Sequence, residues 1–238
     1  MVWRRVVLIK WKVTASLSEI EVAFNLHRSF VDHIPAVLSI QEGRTFTNHK
    51  DGGGAYPGET GVAKGWQSAI EILLAVDDMQ GLAENYFKHP YHVEAAARID
   101  PLIEDAWAMD WMDSRATVEE MWVKPDVSKV KHVVFFKWKD SASEGHINEL
   151  MGGWRALPGQ IPEVLALSCG NALAGPAATR GFHTGLMVDC ALSMDGVGGL
   201  KAYHNHEATL AISKKYLKPI VSDFVVIDFT EHRQLSRL

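Results

Sequence analysis

Val6-Val7-Leu8-Ile9-Lys10-Trp11-Lys12 returns in the same chain as Val133-Val134-Phe135-Phe136-Lys137-Trp138-Lys139, with five of seven residues identical at an offset of 127. The same offset carries Ile34-Pro35-Ala36-Val37-Leu38 and the following residues to Gly43 onto Ile161-Pro162-Glu163-Val164-Leu165 and on to Gly170, with five of ten identical. Two matches at one offset mark an internal duplication. Further on, Gly65-Trp66 answers Gly181-Phe182, Tyr86 answers Tyr203, and Asp110-Trp111 answers Asp228-Phe229, at offsets of 116, 117 and 118. The drop from 127 to 116 puts one 11-residue insertion in the first copy, between Gly43 and Gly65, in the glycine-rich stretch 48–64. The first copy therefore spans 3–114 and the second 129–231, with a linker containing Pro125 between them and a tail at 232–238.

Both copies read in the same order. Alternation over 4–12 predicts a strand with Val7, Ile9 and Trp11 on one face and Lys10 and Lys12 on the other. A helix follows over 16–32, with Ser16 as its N-cap and Leu17, Ile20, Phe24, His27 and Val31 on one stripe. Strands at 37–46 and 67–76, helices at 78–87 and 90–100, and a last extended segment at 106–112 complete the unit. Pro90 suits a first helical position, and Pro101 ends that helix. The second copy repeats this with strands at 131–139, 164–171, 182–190 and 222–230 and helices at 143–156, 195–204 and 207–219. The fold class is α+β, two fused ferredoxin-like β-α-β-β-α-β units. Helices on one face of each sheet leave the other face open, and the two copies can bury those faces against each other as an intramolecular pseudo-dimer. Further homo-oligomerisation is left open.

Composition narrows the function classes. Of 238 residues, 47% are hydrophobic and 22% charged, an ordinary globular balance that excludes a disordered or fibrous chain. A net charge of −5 argues against nucleic acid as partner. No apolar run approaches the 18 or so residues of a membrane span. Cys169 and Cys190 match no metal or disulfide spacing and read as buried free thiols. No HExxH or other metal signature is present, so neither metal nor cofactor is expected. His204 and His206 do not share a helical face, and His33 and His49 fall in loops. Gly52-Gly53-Gly54 is not a phosphate loop and reads as a flexible tip or lid. The ending Ser236-Arg237-Leu238 is a variant of the peroxisomal address, which gives a peroxisomal location in a eukaryote and a cytoplasmic one otherwise.

The strand over 132–139 with its copy at 5–12, the Ile-Pro-x-Val-Leu motif, and Tyr86-Phe87-Lys88-His89-Pro90-Tyr91-His92 resemble the stress-responsive A/B barrel family of the dimeric α+β barrel superfamily. The resemblance covers both copies. It implies two sheets meeting face to face as a barrel. The family includes heat-stable plant proteins and olivetolic acid cyclase, which closes a polyketide ring by aldol condensation without a cofactor. In that cyclase a tyrosine and a histidine at the places of Tyr86 and His92 orient a carbonyl and act as general base. The chemistry is sound in itself. A near-neutral imidazole can take a proton from carbon beside a carbonyl, and a phenol can stabilise the enolate oxygen. His92 would lie in the first turn of its helix, where the dipole disfavours the imidazolium. The plainer reading gives His92 a hydrogen bond to a neighbouring carbonyl and His89 a capping role.

The sequence departs from the cyclase. Two further pocket histidines are replaced in the first copy by Arg5 and Ser68, here candidate substrate-binding residues together with His27. Arg5 could hold a carboxylate or phosphate, or simply lie exposed at a strand start. The second copy keeps His132 and Tyr203 as equivalents, but has Thr209 at the base position, Glu207 in place of the proline, and Thr184 on strand three. It reads as a degenerate, supporting half. The expectation is a small-molecule ligand in the first copy, either turned over without a cofactor or merely bound. A third reading, a partner-binding scaffold, requires Trp122 or Trp154 on the surface.

Overall fold

Both faces of the repeated strand are apolar, and this decides how it is buried. In the computed structural model, which describes residues 2–46, 63–113, 129–192 and 198–230, β1 (Val2–Trp11) is a central strand. It pairs antiparallel with β3 (Ser68–Leu74) and β4 (Ile103–Asp113), and β2 (Val37–Arg44) lies outside β3. The second sheet repeats this with β5 (Lys129–Trp138), β6 (Val164–Asn171), β7 (Thr184–Ala191) and β8 (Val221–Thr230). The orders are β2-β3-β1-β4 and β6-β7-β5-β8, two ferredoxin-like units.

One face of β1 places Trp3, Ile9 and Trp11 under the helices of its own unit. The other places Val6 and Leu8 in a core between the sheets, with Trp107, Met109, Val133, Phe135, Met187 and Ile227. That second face is buried against the other sheet, as the pairing of the two copies' open faces requires. Lys10 lies over the Trp66 ring at 4.8 Å.

Two seams close the sheets into a barrel. The Phe46 N–H donates to the Asp228 carbonyl (3.0 Å) at one, and the Leu173 N–H to the Asp110 carbonyl (2.9 Å) at the other. Each seam has an aromatic seated on a glycine. A Cβ on Gly43 would stand 2.9 Å from the Phe229 ring, and one on Gly170 2.9 Å from the Trp111 ring. Trp111 is the larger knob, and it also needs Gly185, whose Cβ would come within 2.6 Å of the indole. The repeat puts Ala69 at that place in the first unit. Surface ion pairs cross reciprocally: Lys64 holds Asp223 and Arg180 holds Asp105. Lys64-Gly65 and Arg180-Gly181 both have positive φ, the geometry of a two-residue turn that favours glycine.

Between the sheets runs a buried chain of charges. Arg4 pairs with Glu71, and Lys131 bridges Glu71 (2.6 Å) and Asp189 (2.9 Å). Lys129 adds a contact to Asp189 at 3.2 Å. Lys131 is 1% exposed; its carboxylate neighbours outweigh burial and hold its pKa above the ordinary value.

The helices lie on the outer faces. α1 (Leu17–Arg28) opens on a capping box between Ser16 and Glu19. It stops before the expected end: Ser29 donates its hydroxyl to the Leu26 carbonyl and exchanges a 2.8 Å hydrogen bond with Tyr91. A short α2 (Phe30–His33) follows. α3 (Met79–Leu82) runs into a π turn, Ala83–Phe87, and α4 is Pro90–Ile99. In the second unit α5 is Glu144–Arg155, α6 Gly198–Asn205 and α7 Glu207–Ile212, before a π turn and the short α8 (Lys218–Ile220).

Candidate functional site

In the first unit the polar centre grows from a cross-strand pair. Arg5 on β1 and Asp110 on β4 are direct partners in the ladder. The guanidinium lies 2.8 and 3.0 Å from the two carboxylate oxygens, and the Trp3 indole N–H donates to the same carboxylate at 2.9 Å. Arg5 also stands over the Phe87 ring at 4.7 Å. Its charge is thus already balanced by Asp110 inside the protein.

Helical elements bring the second wall. The π turn carries Tyr86, and His89 caps α4 by accepting the Tyr91 N–H at 3.3 Å. One turn on, His92 packs its ring against Tyr86, with centroids 4.5 Å apart and planes at 60°. Phe30 backs both rings, at 5.6 and 6.2 Å. Tyr86 is buried and His92 half-buried. His92 hydrogen-bonds the Phe87 backbone; burial, and then Arg5, hold its pKa below the ordinary value. The imidazole is therefore neutral near pH 7. Burial raises the Tyr86 phenol, against the pull of Arg5, so it stays protonated and can donate.

The structure brings Arg5, Tyr86 and His92 together. His27 reaches the same cluster through Phe30, with ring centroids 5.5 Å apart. Its pKa is lowered to about 4, first by burial and then by His92. Ser68 is not part of the cluster: it is fully buried, and its hydroxyl accepts the Trp11 indole N–H at 2.9 Å. Thr184 does the same for Trp138 at 3.0 Å.

The second unit has a polar centre of its own. His132 Nδ1 lies 2.7 Å from the Asp228 carboxylate, and both side chains are buried. Tyr203 and His204 stand over the His132 ring, at 5.5 and 4.8 Å. Burial, and then His132, push the His204 pKa down to about 2. Tyr203 sits in a regular α-helix, where its counterpart Tyr86 sits in a π turn. Thr209, at the place of His92, has its hydroxyl buried without a hydrogen-bond partner among the described residues.

Asp110, Asp228 and His204 were missed by sequence reasoning as site residues. A usable signal existed: an aspartate recurs at one place in an otherwise apolar last strand of both copies, opposite Arg5 or His132. Glu42 was also missed. It is 2% exposed on β2, facing His27 and Arg28, and burial raises its pKa to about 9 against the opposing pull of Arg28.

A cleft of about 450 Å³ lies in the second unit, lined by Trp138, Asp140, Phe182 and His183 among others. Another of about 270 Å³ lies between α1 and α4. Neither is lined by Tyr86 or His92. Trp154 is buried and stacks on Phe136 at 5.0 Å, so it offers no surface patch. Trp122, His49, the Gly52–Gly54 tip and the Ser236-Arg237-Leu238 ending lie outside the described residues. Both cysteines are buried, and neither forms a disulfide among the described residues. Among the described residues no three His, Cys, Asp or Glu side chains are placed to hold a metal, and no helix is long and apolar enough to cross a membrane.

An anthrone oxidase-like protein of known structure superposes on the whole chain, with a TM-score of 0.62 and 10% identity over 98% of this chain and 91% of that one. A dimeric ferredoxin-like protein of unknown function from Thermobifida fusca matches 44% of this chain and 92% of its own, at 22% identity and a TM-score of 0.37. The hydroxynitrile lyase from Passiflora edulis matches 44% of this chain and 95% of its own, at 21% identity and a TM-score of 0.38. No curated protein gives a significant match. The stress responsive A/B barrel domain matches twice, at residues 4–113 and 130–231. With two such domains filling most of its length, the chain belongs to the stress responsive A/B barrel family.

Proposed function

We propose that the first unit binds a small carbonyl compound and enolises it without a cofactor. The observation that carries this is the contact between a neutral, half-buried His92 and a protonated Tyr86, beside the Arg5–Asp110 pair. His92 takes a proton from the carbon next to the carbonyl. The electron pair moves onto the carbonyl oxygen, where the Tyr86 hydroxyl donates a hydrogen bond to the growing charge. Arg5, its charge balanced by Asp110, braces the Phe87 ring beside that site. Return of that proton to carbon completes an exchange; alternatively the enolate carbon attacks a second carbonyl, as in a polyketide cyclase, and the resulting alkoxide takes the proton from His92, which restores the neutral imidazole. The resemblance of the Tyr86-to-His92 segment to olivetolic acid cyclase supports this reading.

The test is deuterium uptake in D₂O by a panel of methyl ketones and β-keto thioesters, followed by NMR. The intact chain should exchange at least one of them faster than buffer does. His92→Ala should lose about 10²–10⁴-fold of that excess, and Tyr86→Phe about 10²-fold, with thermal midpoints nearly unchanged. Unaltered exchange in His92→Ala would remove the histidine from the mechanism.

One observation favours a second reading, a barrel that binds a ligand without converting it. Tyr86 is only 3% exposed, and neither cleft reaches it. Ligand binding with no exchange on any ketone would select that reading. For a eukaryotic source we further propose a peroxisomal address at Ser236-Arg237-Leu238, tested by whether deleting those three residues leaves a fluorescent fusion in the cytosol.

A further inference from the structure

The cleft of about 450 Å³ in the second unit is organised around one residue, Trp138. It opens where β5 and β6 end, β7 begins and α5 starts. Trp138, Ile147, Pro176 and Phe182 give it apolar walls. Asn171 and His183 line it from adjoining rungs of the β6–β7 edge, since Asn171 pairs with Thr184 and the Ala172 N–H donates to the His183 carbonyl. A largely apolar cleft of this size with a few polar groups has the make-up of a small-molecule site.

Trp138 fixes what the two polar side chains offer. Its indole N–H, which can only donate, reaches the Thr184 hydroxyl at 3.0 Å. Thr184 therefore gives its own hydrogen to the Asn171 side-chain carbonyl, at 3.2 Å. This chain orients the Asn171 amide, and the NH₂ is the end left over. The Trp138 backbone N–H, also only a donor, meets His183 Nδ1 at 3.1 Å. That nitrogen carries no proton, so the ring hydrogen sits on Nε2. Both side chains thus bring N–H donors to the cleft. Lys139 and Asp140 also line it and offset one another in charge, and the Lys139 ammonium is held on the Pro219 carbonyl at 2.9 Å. The first unit keeps this wiring: Trp11 donates its indole N–H to Ser68 and its backbone N–H to Gln67. It does not keep the lining, because Arg44 stands at the place of Asn171 and Val13 at that of Asp140.

We propose that this cleft binds a small ring-bearing carboxylic acid, its carboxylate accepting from the Asn171 amide and His183 Nε2 and its ring lying against Trp138 and Phe182. Two neighbouring donors suit the two oxygens of one carboxylate, and hydrogen bonds to an ionised acceptor are about twice as strong as neutral ones. The site is separate from the Tyr86–His92 pair, neither of which lines the cleft. The experiment titrates the full chain with 3-phenylpropionate, its amide and 3-phenylpropylamine by calorimetry. The acid should bind at least about tenfold tighter than the amine, which has only donors, with the amide between them. Asn171→Asp keeps an acceptor for Thr184 but puts negative charge where the donor was, and should weaken the acid about tenfold or more. His183→Glu keeps an acceptor for the Trp138 N–H, removes the other donor, and carries the same expectation. His183→Gln should retain most of the affinity, because a glutamine accepts the matching N–H in the first unit and still has an NH₂ to donate. Thermal midpoints report whether each variant folds, and either donor variant suffices if the other does not. His92→Ala should leave the acid's affinity unchanged. No binding of the acid, an amine or amide bound as tightly, an affinity that survives either donor variant, or one lost in His92→Ala would overturn the proposal.

Discussion

The two polar centres of this chain stand on one backbone plan but divide their chemistry differently. In both, an aspartate on the last strand faces a cationic or ionisable residue on the first: Asp110 with Arg5, Asp228 with His132. In the first unit the strand residue is a permanent cation, and the histidine sits across from it on α4. In the second the histidine has moved to the strand, His204 takes the place of Phe87, and Thr209 replaces the helix histidine. The lesson is that the aspartate is the shared element, and the position of the histidine is the variable one. A unit lacking the Tyr/His motif is therefore not empty.

The strongest way to break the comparison lies between the sheets. Lys131 and Arg4 are repeat equivalents, but Lys131 serves two carboxylates and Arg4 one. Lys131→Met should cost about 3–5 kcal/mol, because it strands buried charge, and Arg4→Met should cost less. Urea denaturation at neutral pH measures both, and equal losses would refute the asymmetry.

Next come the seams. Gly185→Val should destabilise by about 1–3 kcal/mol through overpacking against Trp111. Trp111→Phe in the same chain copies the Phe229 seam and should recover most of that loss; a double-mutant cycle without recovery would mean that Gly185 matters for another reason.

The polar centres themselves should respond more gently. His132→Gln is expected to cost about 1–3 kcal/mol and Arg5→Gln less, since the Asp110 carboxylate keeps the Trp3 indole N–H. Thermal and urea midpoints give the order.

The last comparison is in the pH dependence. His27 and His204 titrate near 6.5 when unfolded but at about 4 and about 2 when folded. The unfolded chain then binds more protons, so stability falls as pH drops below 6.5, His27's share ending near 4 and His204's continuing toward 2. Glu42 slopes the other way. Its folded value of about 9 lies above the ordinary 4.5, so its share of stability is full below 4.5 and is lost as pH rises from 4.5 to 9. Urea midpoints at several pH values should flatten on the acid side in His204→Phe and on the alkaline side in Glu42→Gln.

Much of the architecture was legible because duplication turns sequence spacing into geometry. The offset of 127 paired β1 with β5 and β2 with β6, and the later offsets paired Trp66 with Phe182 and Trp111 with Phe229. Ser16 and His89 were readable as caps because capping is local. What escaped depends on which face a strand residue takes and on what meets it there. Arg4 and Lys131 look like ordinary strand-start cations until the second sheet covers them. Glu42 sits in an unremarkable Gln-Glu-Gly run, and only α1 crossing above it makes it buried. Ser68 is a small polar residue at a plausible height in the strand, yet the Trp11 indole occupies it. Trp154 follows the same logic, since its stacking on Phe136 joins a helix to a strand.

The Trp111–Gly185 seat has a consequence for how such a molecule can change. In a symmetric pair of identical subunits, any enlargement of one knob is made at both seams at once, and both sockets must yield together. Here the two seams belong to different stretches of one gene. One could take a tryptophan and shed a side chain on β7 while the other kept phenylalanine and alanine. The two seams are no longer interchangeable, so each half has a fixed place, and each polar centre is free to drift toward a ligand of its own.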